Sequence, residues 1–210
     1  MKYRTIVFVI ALLALACNHT PEKLTIQDYA SWLSDEENGI YKSRQINGVT
    51  INARFLPAEL QAYKEYKANA LANYDSILQS YTCGLTFQIE LYAEKSDKVY
   101  GNLLYYGVAD EHALNDRTRY LNFNAAEFIT LTYGDKVYEP VLSNFEGYNS
   151  IGNKINFIVV FELSEYMCGV FQSDSQNEIK LTFKDPYWDL GINHFAFEKK
   201  DILLVPKLKY

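Results

Sequence analysis

The chain has 210 residues, 49% of them hydrophobic and 22% charged, with 20 basic side chains against 26 acidic ones. That length supports one good core. The acidic balance excludes a nucleic-acid partner held by charge, because phosphate recognition wants a basic surface, and anionic lipid headgroups would not be drawn to it electrostatically either.

At the start of the chain, Lys2 and Arg4 form a basic head and Ile6 to Leu15 an apolar run too short to span a bilayer. Ala16-Cys17 ends the run with a small residue before a thiol. This is the pattern of a secretory signal. The Leu13-Ala14-Leu15-Ala16-Cys17 ending resembles a bacterial lipobox. That resemblance implies diacylation of Cys17, cleavage before it and acylation of the new amino terminus. Residues 1–16 then read as signal, 17–24 as lipidated cysteine and tether, and 25–210 as a single globular domain. Asn18, standing where Asp would resemble an inner-membrane retention signal, implies an outer-membrane destination. Each buried acyl methylene adds about 0.8 kcal/mol, so two or three chains make a lasting anchor. Once the signal has left, 18 basic residues face 26 acidic ones, a net charge of about −8.

Two cysteines then remain, Cys83 and Cys168. In an oxidising compartment they permit one disulfide, which would close a loop of about 85 residues and stabilise the fold by roughly 4.5 kcal/mol in chain-entropy terms. The alternative is a pair of separately buried thiols acting as small apolar side chains.

Along the domain, Thr25 followed by Asp28 marks a helix start, with Ile26, Tyr29, Trp32 and Leu33 on one face and Asn38-Gly39 as the stop. Tyr41 to Ile46 and Val49 to Phe55 flank Asn47-Gly48, two residues suited to the positive φ angles of a type I′ turn, and so predict a hairpin. Pro57 opens a predicted long amphipathic helix whose Leu60, Tyr63, Leu71, Tyr74, Leu78 and Tyr81 form an apolar stripe, closed by Cys83-Gly84. Leu85, Phe87, Ile89 and Leu91 alternate with Thr86, Gln88 and Glu90, the pattern of a strand with one buried face.

Val108 to Leu121 predicts a shorter helix whose Asp110, Glu111, Asp116, Arg117 and Arg119 read as a solvated surface. The rest is β in character. Phe128 to Tyr133 and Val137 to Leu142 flank a turn at Gly134-Asp135, and Pro140 demotes the second to an edge strand. Ile155 to Leu163, apolar on both parities, predicts a central strand; Ile179 to Lys184 and Phe195 to Phe197 predict the last two. Eight or so short strands with Gly, Asn and Asp at the turns argue for a mainly β (α+β) fold, an antiparallel β-sandwich with one long and one or two short accessory helices.

The stretches FIVVFELSE and IKLTFKDPYWDLGINHFAFEKKDI resemble closing strands of immunoglobulin-like sandwiches found in exported bacterial lipoproteins. The opening YASWLSDEENGIYKSRQINGVTINARFLPAEL is similar to the start of uncharacterised lipoproteins of the Bacteroidota type. These resemblances imply a location and a fold, and bring no activity with them.

Catalytic signatures are missing from the sequence. Its histidines are His19, His112 and His194, and it has no H-E-x-x-H, paired C-x-x-C, G-x-S-x-G or Walker motif, so no metal and no cofactor is expected. Gly147 to Gly152 has the wrong spacing for a serine elbow. The carboxylate pairs Asp110/Glu111 and Asp185/Asp189 could in principle work as acid and base, and Asp174 to Glu178 gathers oxygen ligands without an EF-hand's glycine and closing glutamate.

The loop Asp185-Pro186-Tyr187-Trp188-Asp189 sets two large rings beside two carboxylates between predicted strands. Exposed, those rings would stack on a sugar while the acids accept its hydroxyl hydrogens; folded back, Trp188 would cap the core. The expectation is therefore a non-enzymatic binding or accessory module at the bacterial cell envelope, held to the membrane by acyl chains and facing an envelope protein or glycan. The alternative is a carbohydrate-binding or carbohydrate-processing lipoprotein that uses the Tyr187/Trp188 loop, with Asp185 and Asp189 beside it.

Overall fold

The computed structural model describes residues 21–69, 71, 73–93, 102–149, 154–162, 171 and 175–209. Cys17, the signal, Cys168, Asp174 and residues 150–153 lie outside the described residues. In chain order the elements are β1 (Lys23–Leu24), α1 (Ile26–Trp32), a 3-10 turn (Glu36–Asn38), β2 (Tyr41–Ile46), β3 (Val49–Leu56), α2 (Ala58–Ala68), α3 (Tyr74–Tyr81) and β4 (Gly84–Ala93). A second 3-10 turn (Leu103–Tyr105), α4 (Glu111–Phe123), α5 (Ala125–Phe128), β5 (Ile129–Tyr133), β6 (Lys136–Tyr138) and β7 (Leu142–Asn149) follow. The chain closes with β8 (Lys154–Glu162), β9 (Glu178–Lys184), β10 (Ile192–Glu198), α6 (Lys199–Leu203) and β11 (Lys207–Leu208).

The fold is mainly β, with two antiparallel sheets facing one another across one core. One sheet runs β2-β3-β4-β8-β7 and the other β10-β9-β5-β6. The immunoglobulin order sends strand C to the sheet opposite A and B, whereas β2, β3 and β4 stay together as a meander. Period-two alternation puts Phe87, Ile89, Phe157, Val159, Leu181, Phe183, Phe195 and Phe197 inside, all buried. Rings then meet across the gap: Phe87 lies 5.1 Å from Phe197 and Phe157 6.4 Å from Phe183, centroid to centroid. No described helix is long and apolar enough to cross a membrane.

Local chemistry explains the predicted elements that formed. The Thr25 hydroxyl accepts the Asp28 amide and caps α1. Asn47 and Gly48 take φ of +49° and +79°, as a type I′ turn needs, and β2 and β3 pair in register from Ile46–Val49 to Tyr41–Arg54. Asp110 caps α4 through the Ala113 amide at 2.8 Å.

Several elements differ from expectation. The single long helix over 57–81 is two helices, α2 and α3, because two asparagines capture the intervening backbone: Asn69 Oδ1 accepts the Leu71 amide and Asn73 Oδ1 accepts the Ser76 amide. Leu71, placed on the apolar stripe by spacing, is 98% exposed at this break. Phe128 ends α5 rather than opening β5. Pro140 lies in the crossover between sheets: β6 edges one sheet, β7 edges the other, and the Val141 amide already bonds to Val160 O. Lys23–Leu24, the last residues of the stretch read as tether, pair in parallel with Lys207–Leu208.

The elements sort to the two ends of the sandwich. At one end lie β1, β11, α1, α6 and the start of β2, where Gly39 abuts the Asp201 side chain. At the other end the Asn47-Gly48 turn meets the Asp185–Leu190 loop, with Asn47 Nδ2 donating to Asp189 O at 3.1 Å. Cys83 is disulfide-bonded, and the other two cysteines, Cys17 and Cys168, both fall outside the described residues.

Gly39 has φ +77°, and a Cβ there would collide with the Asp201 carboxylate. Gly39→Ala should therefore cost about 1–2 kcal/mol from left-handed backbone alone, seen as a lowered midpoint in denaturant melts. Adding Asp201→Ala should recover only the steric part of the loss.

Candidate functional site

The loop singled out in the sequence is built around its own carboxylate. Asp185 accepts backbone amides from Tyr187 (2.9 Å), Trp188 (2.8 Å) and Leu190 (2.6 Å), while its own amide bonds to Gly191 O at 2.9 Å. Aspartates fold turns in this way because a short acceptor side chain can satisfy the amides two and three residues on. The loop thereby turns Trp188 inward. Its ring is 0% exposed, and its indole N–H donates to Leu103 O at 2.7 Å. Of the two readings the loop allows, the folded-back one forms: Trp188 caps the core, since a buried indole is stable once its N–H has an acceptor. Tyr187 is half-buried, and Asp189 is exposed, with φ +56°.

Arg117, expected on a solvated surface, is likewise buried. Its Nη1 donates to Leu104 O at 3.1 Å and Tyr106 O at 2.6 Å, and its guanidinium sits 4.4 Å from the Tyr187 ring centroid. Burial lowers its pKa, opposed by Tyr187 and Asp185. Tyr120 completes the cluster, stacked on Phe128 and edge-on to Tyr187, with its hydroxyl donating to Glu127 at 2.9 Å. Asp185, Tyr187 and Trp188 therefore lock α4, the second 3-10 turn and the β9–β10 connection together.

A different group of polar residues faces outward on the five-stranded sheet. Register sets Tyr41 opposite Arg54, Asn52 between Ser43 and Glu90, Arg54 opposite Gln88, and Glu90 opposite Asn156. Ser43 Oγ donates to Asn52 Oδ1 (2.8 Å), Asn52 Nδ2 to Glu90 Oε1 (3.2 Å), and Lys154 Nζ to both Glu90 oxygens at 3.1 Å. Arg54 stacks over the Tyr41 ring at 5.0 Å and Lys154 over Tyr92 at 5.2 Å. These long side chains explain why Thr50, Asn52 and Asn156 are buried on an outward face.

At the centre is a depression of about 60 Å³ lined by Tyr41, Asn52, Arg54, Gln88 and Glu90. Lys154 neutralises Glu90 there, while Arg54 has no ion-pair partner among the described residues. Its Nε is buried without an acceptor. Such a donor is costly unless something bonds to it. Burial raises the Tyr41 pKa, opposed by Arg54, so the phenol stays protonated and can donate as well. The arrangement sets a guanidinium and a phenol beside two amides already engaged, Asn52 with Ser43 and Glu90, and Gln88 with Asn156 Oδ1 at 3.5 Å. On the other sheet a wider hollow of about 190 Å³ is lined by Thr132, Asp135, Gln176, Glu178 and Lys180, with no orphaned buried polar atom on those residues.

The outward parity of Gln88 and Glu90 is legible in the sequence. Their meeting with Arg54 and Lys154 depends on register, which composition does not reveal. Among the described residues no three His, Cys, Asp or Glu side chains converge as a metal site.

No protein-family model matches the chain, and no curated protein matches it. Among solved structures it is similar to a novel protein of unknown function from Burkholderia pseudomallei K96243, at 12% identity and TM-score 0.38, over 87% of this chain and 90% of that one. It is also similar to a DUF4426 family protein from Pseudomonas aeruginosa PAO1, at 10% identity and TM-score 0.35, over 76% of this chain and 92% of that one.

Trp188→Ala should cost about 3–5 kcal/mol, as expected for deleting a buried aromatic, measured by denaturant melts. A loss below about 1 kcal/mol would contradict the capping role. Alkaline titration offers a second check. Burial, and then the hydrogen bond to Glu127, push the Tyr120 pKa up to about 12. A phenol with a raised folded-state pKa lends stability below its unfolded value near 10, and that stability fades as pH rises toward the folded value. Ultraviolet titration should therefore show the exposed phenols ionising first and Tyr120 only as the fold weakens.

Proposed function

We propose that this chain is an exported, lipid-anchored binding module of the bacterial cell envelope, of the Bacteroidota type. Its five-stranded sheet face takes up a polar group of an envelope partner. The location rests on the basic head, the apolar run and the Ala16-Cys17 ending. The disulfide at Cys83 supports it, because such bonds persist in oxidising compartments. With Cys17 acylated, Cys168 is its partner, and the outer membrane is the destination that Asn18 favours.

The observation that carries the binding role is the buried Arg54 Nε with no acceptor, beside the protonated Tyr41 phenol and the amides of Asn52 and Gln88. A ligand carboxylate, carbonyl or hydroxyl supplies the missing acceptor. Charge-assisted bonds of this kind contribute about 1.5–3 kcal/mol, a useful share of a binding energy. The sugar reading lacks its two free rings, since Trp188 is committed to the core.

Cys17→Ser should move the protein from the membrane fraction to the soluble one, and mass spectrometry of the wild type should find the acyl chains on Cys17. The same digest, unreduced, should contain Cys83 linked to Cys168; an unmodified Cys17 would refute the anchor. For the face, a photo-crosslinking residue placed at Gln88 in living cells should capture a partner, and Arg54→Gln should abolish the adduct. A crosslink that survives that change would remove Arg54 from the site.

A further inference from the structure

We propose that the end of the sandwich formed by β1, β11 and α6 lies against the lipid surface, with Leu203 and Leu204 entering the interfacial layer. The proposal rests on the anchor at Cys17 and adds the orientation of the domain. Six peptide units join Cys17 to Lys23, a reach of about 20 Å at full extension. From Lys23 the chain is held: Lys207 N bonds to Glu22 O and Lys209 N to Leu24 O, both at 2.9 Å. The β1–β11 pair therefore cannot move far from the bilayer.

The same end carries two adjacent apolar side chains in water. Leu203 ends α6 and Leu204 caps it, and they are 47% and 59% exposed, three residues before β11 returns to pair with β1. Exposed leucines next to a membrane tether have an apolar phase within reach, which is what a patch of this kind needs. Charge does not drive the contact. Lys23, Lys207 and Lys209 are exposed here, but so are Glu22, Asp35, Glu36 and Glu37, so the attraction is to acyl chains, and the lysine stems can lie along the interface with their ammonium groups in water. The Asp185 loop, at the opposite end of the sandwich, would then face away from the membrane.

The test uses the full lipoprotein in phosphatidylcholine vesicles whose acyl chains carry bromine near the headgroups. Leu204→Trp adds one fluorophore at the proposed contact. Ile192→Trp adds one at the far end of β10, seven residues of strand or about 20 Å away. Trp32 and Trp188 are subtracted with the wild-type protein in the same vesicles. The expected result is blue-shifted, bromine-quenched difference emission for Leu204→Trp and unshifted, unquenched emission for Ile192→Trp. Protein that floats with the vesicles yet shows no quenching at 204, or equal quenching at both positions, overturns the orientation and leaves the anchor intact. Protein that fails to float and carries no acyl group overturns both.

Discussion

Phe87 sits where the two sheets of this molecule are joined. Its ring lies 5.1 Å from Phe197 on the facing sheet, 5.5 Å from Phe55 on the neighbouring strand and 6.2 Å from Phe161. Edge-on and tilted aromatic contacts of this kind contribute about 0.5–1.5 kcal/mol beyond their area burial. They also fix spacing, because rings interlock in few ways. A chain with 12 phenylalanines and 18 tyrosines can fill such a seam without long aliphatic layers. The aromatic excess is thus mainly a matter of packing.

With the seam fixed, the two ends of the sandwich take different tasks. One end collects both described termini, β1 beside β11, together with α1 and α6. The other collects turns. There the Asp185 carboxylate organises backbone amides, Trp188 plugs the opening, and Arg117 ties α4 to carbonyls of the second 3-10 turn. A buried cation in that position is stable because its donors meet carbonyl oxygens and its planar face meets an aromatic ring. The ring-and-carboxylate composition that suggests ligand binding is the same one a closed, self-satisfied loop requires, and composition alone cannot separate the two.

What the sequence revealed was local. The Asn47-Gly48 hairpin was legible because two positive φ angles need those residue types, and the strands from Gly84 and Glu178 because each alternates cleanly. The helix break at 69–73 was not, since the apolar spacing runs on through it while Asn69 and Asn73 act only through hydrogen bonds. Arg117 looked solvated for a related reason: the carbonyls that hold it belong to a turn several residues earlier in the chain. The outward polar group at Arg54 was beyond reach because it is assembled from β2, β3, β4 and β8, and strand order and register are non-local.

That outward face also has an internal logic. A sheet surface open to water normally leaves its polar side chains solvated, yet Thr50, Asn52 and Asn156 are covered here by longer neighbours. Arg54 over Tyr41 and Lys154 over Tyr92 act as lids held by ring contacts and, for Lys154, by Glu90. The two lids differ in what holds them. Lys154 has its carboxylate, whereas Arg54 keeps a buried donor without an acceptor. Displacing Arg54 therefore breaks less than displacing Lys154 does, and an incoming acceptor gains a bond that the free protein lacks. The depression lined by Arg54 is thus the part of this face where a donor is left unmatched by the protein itself.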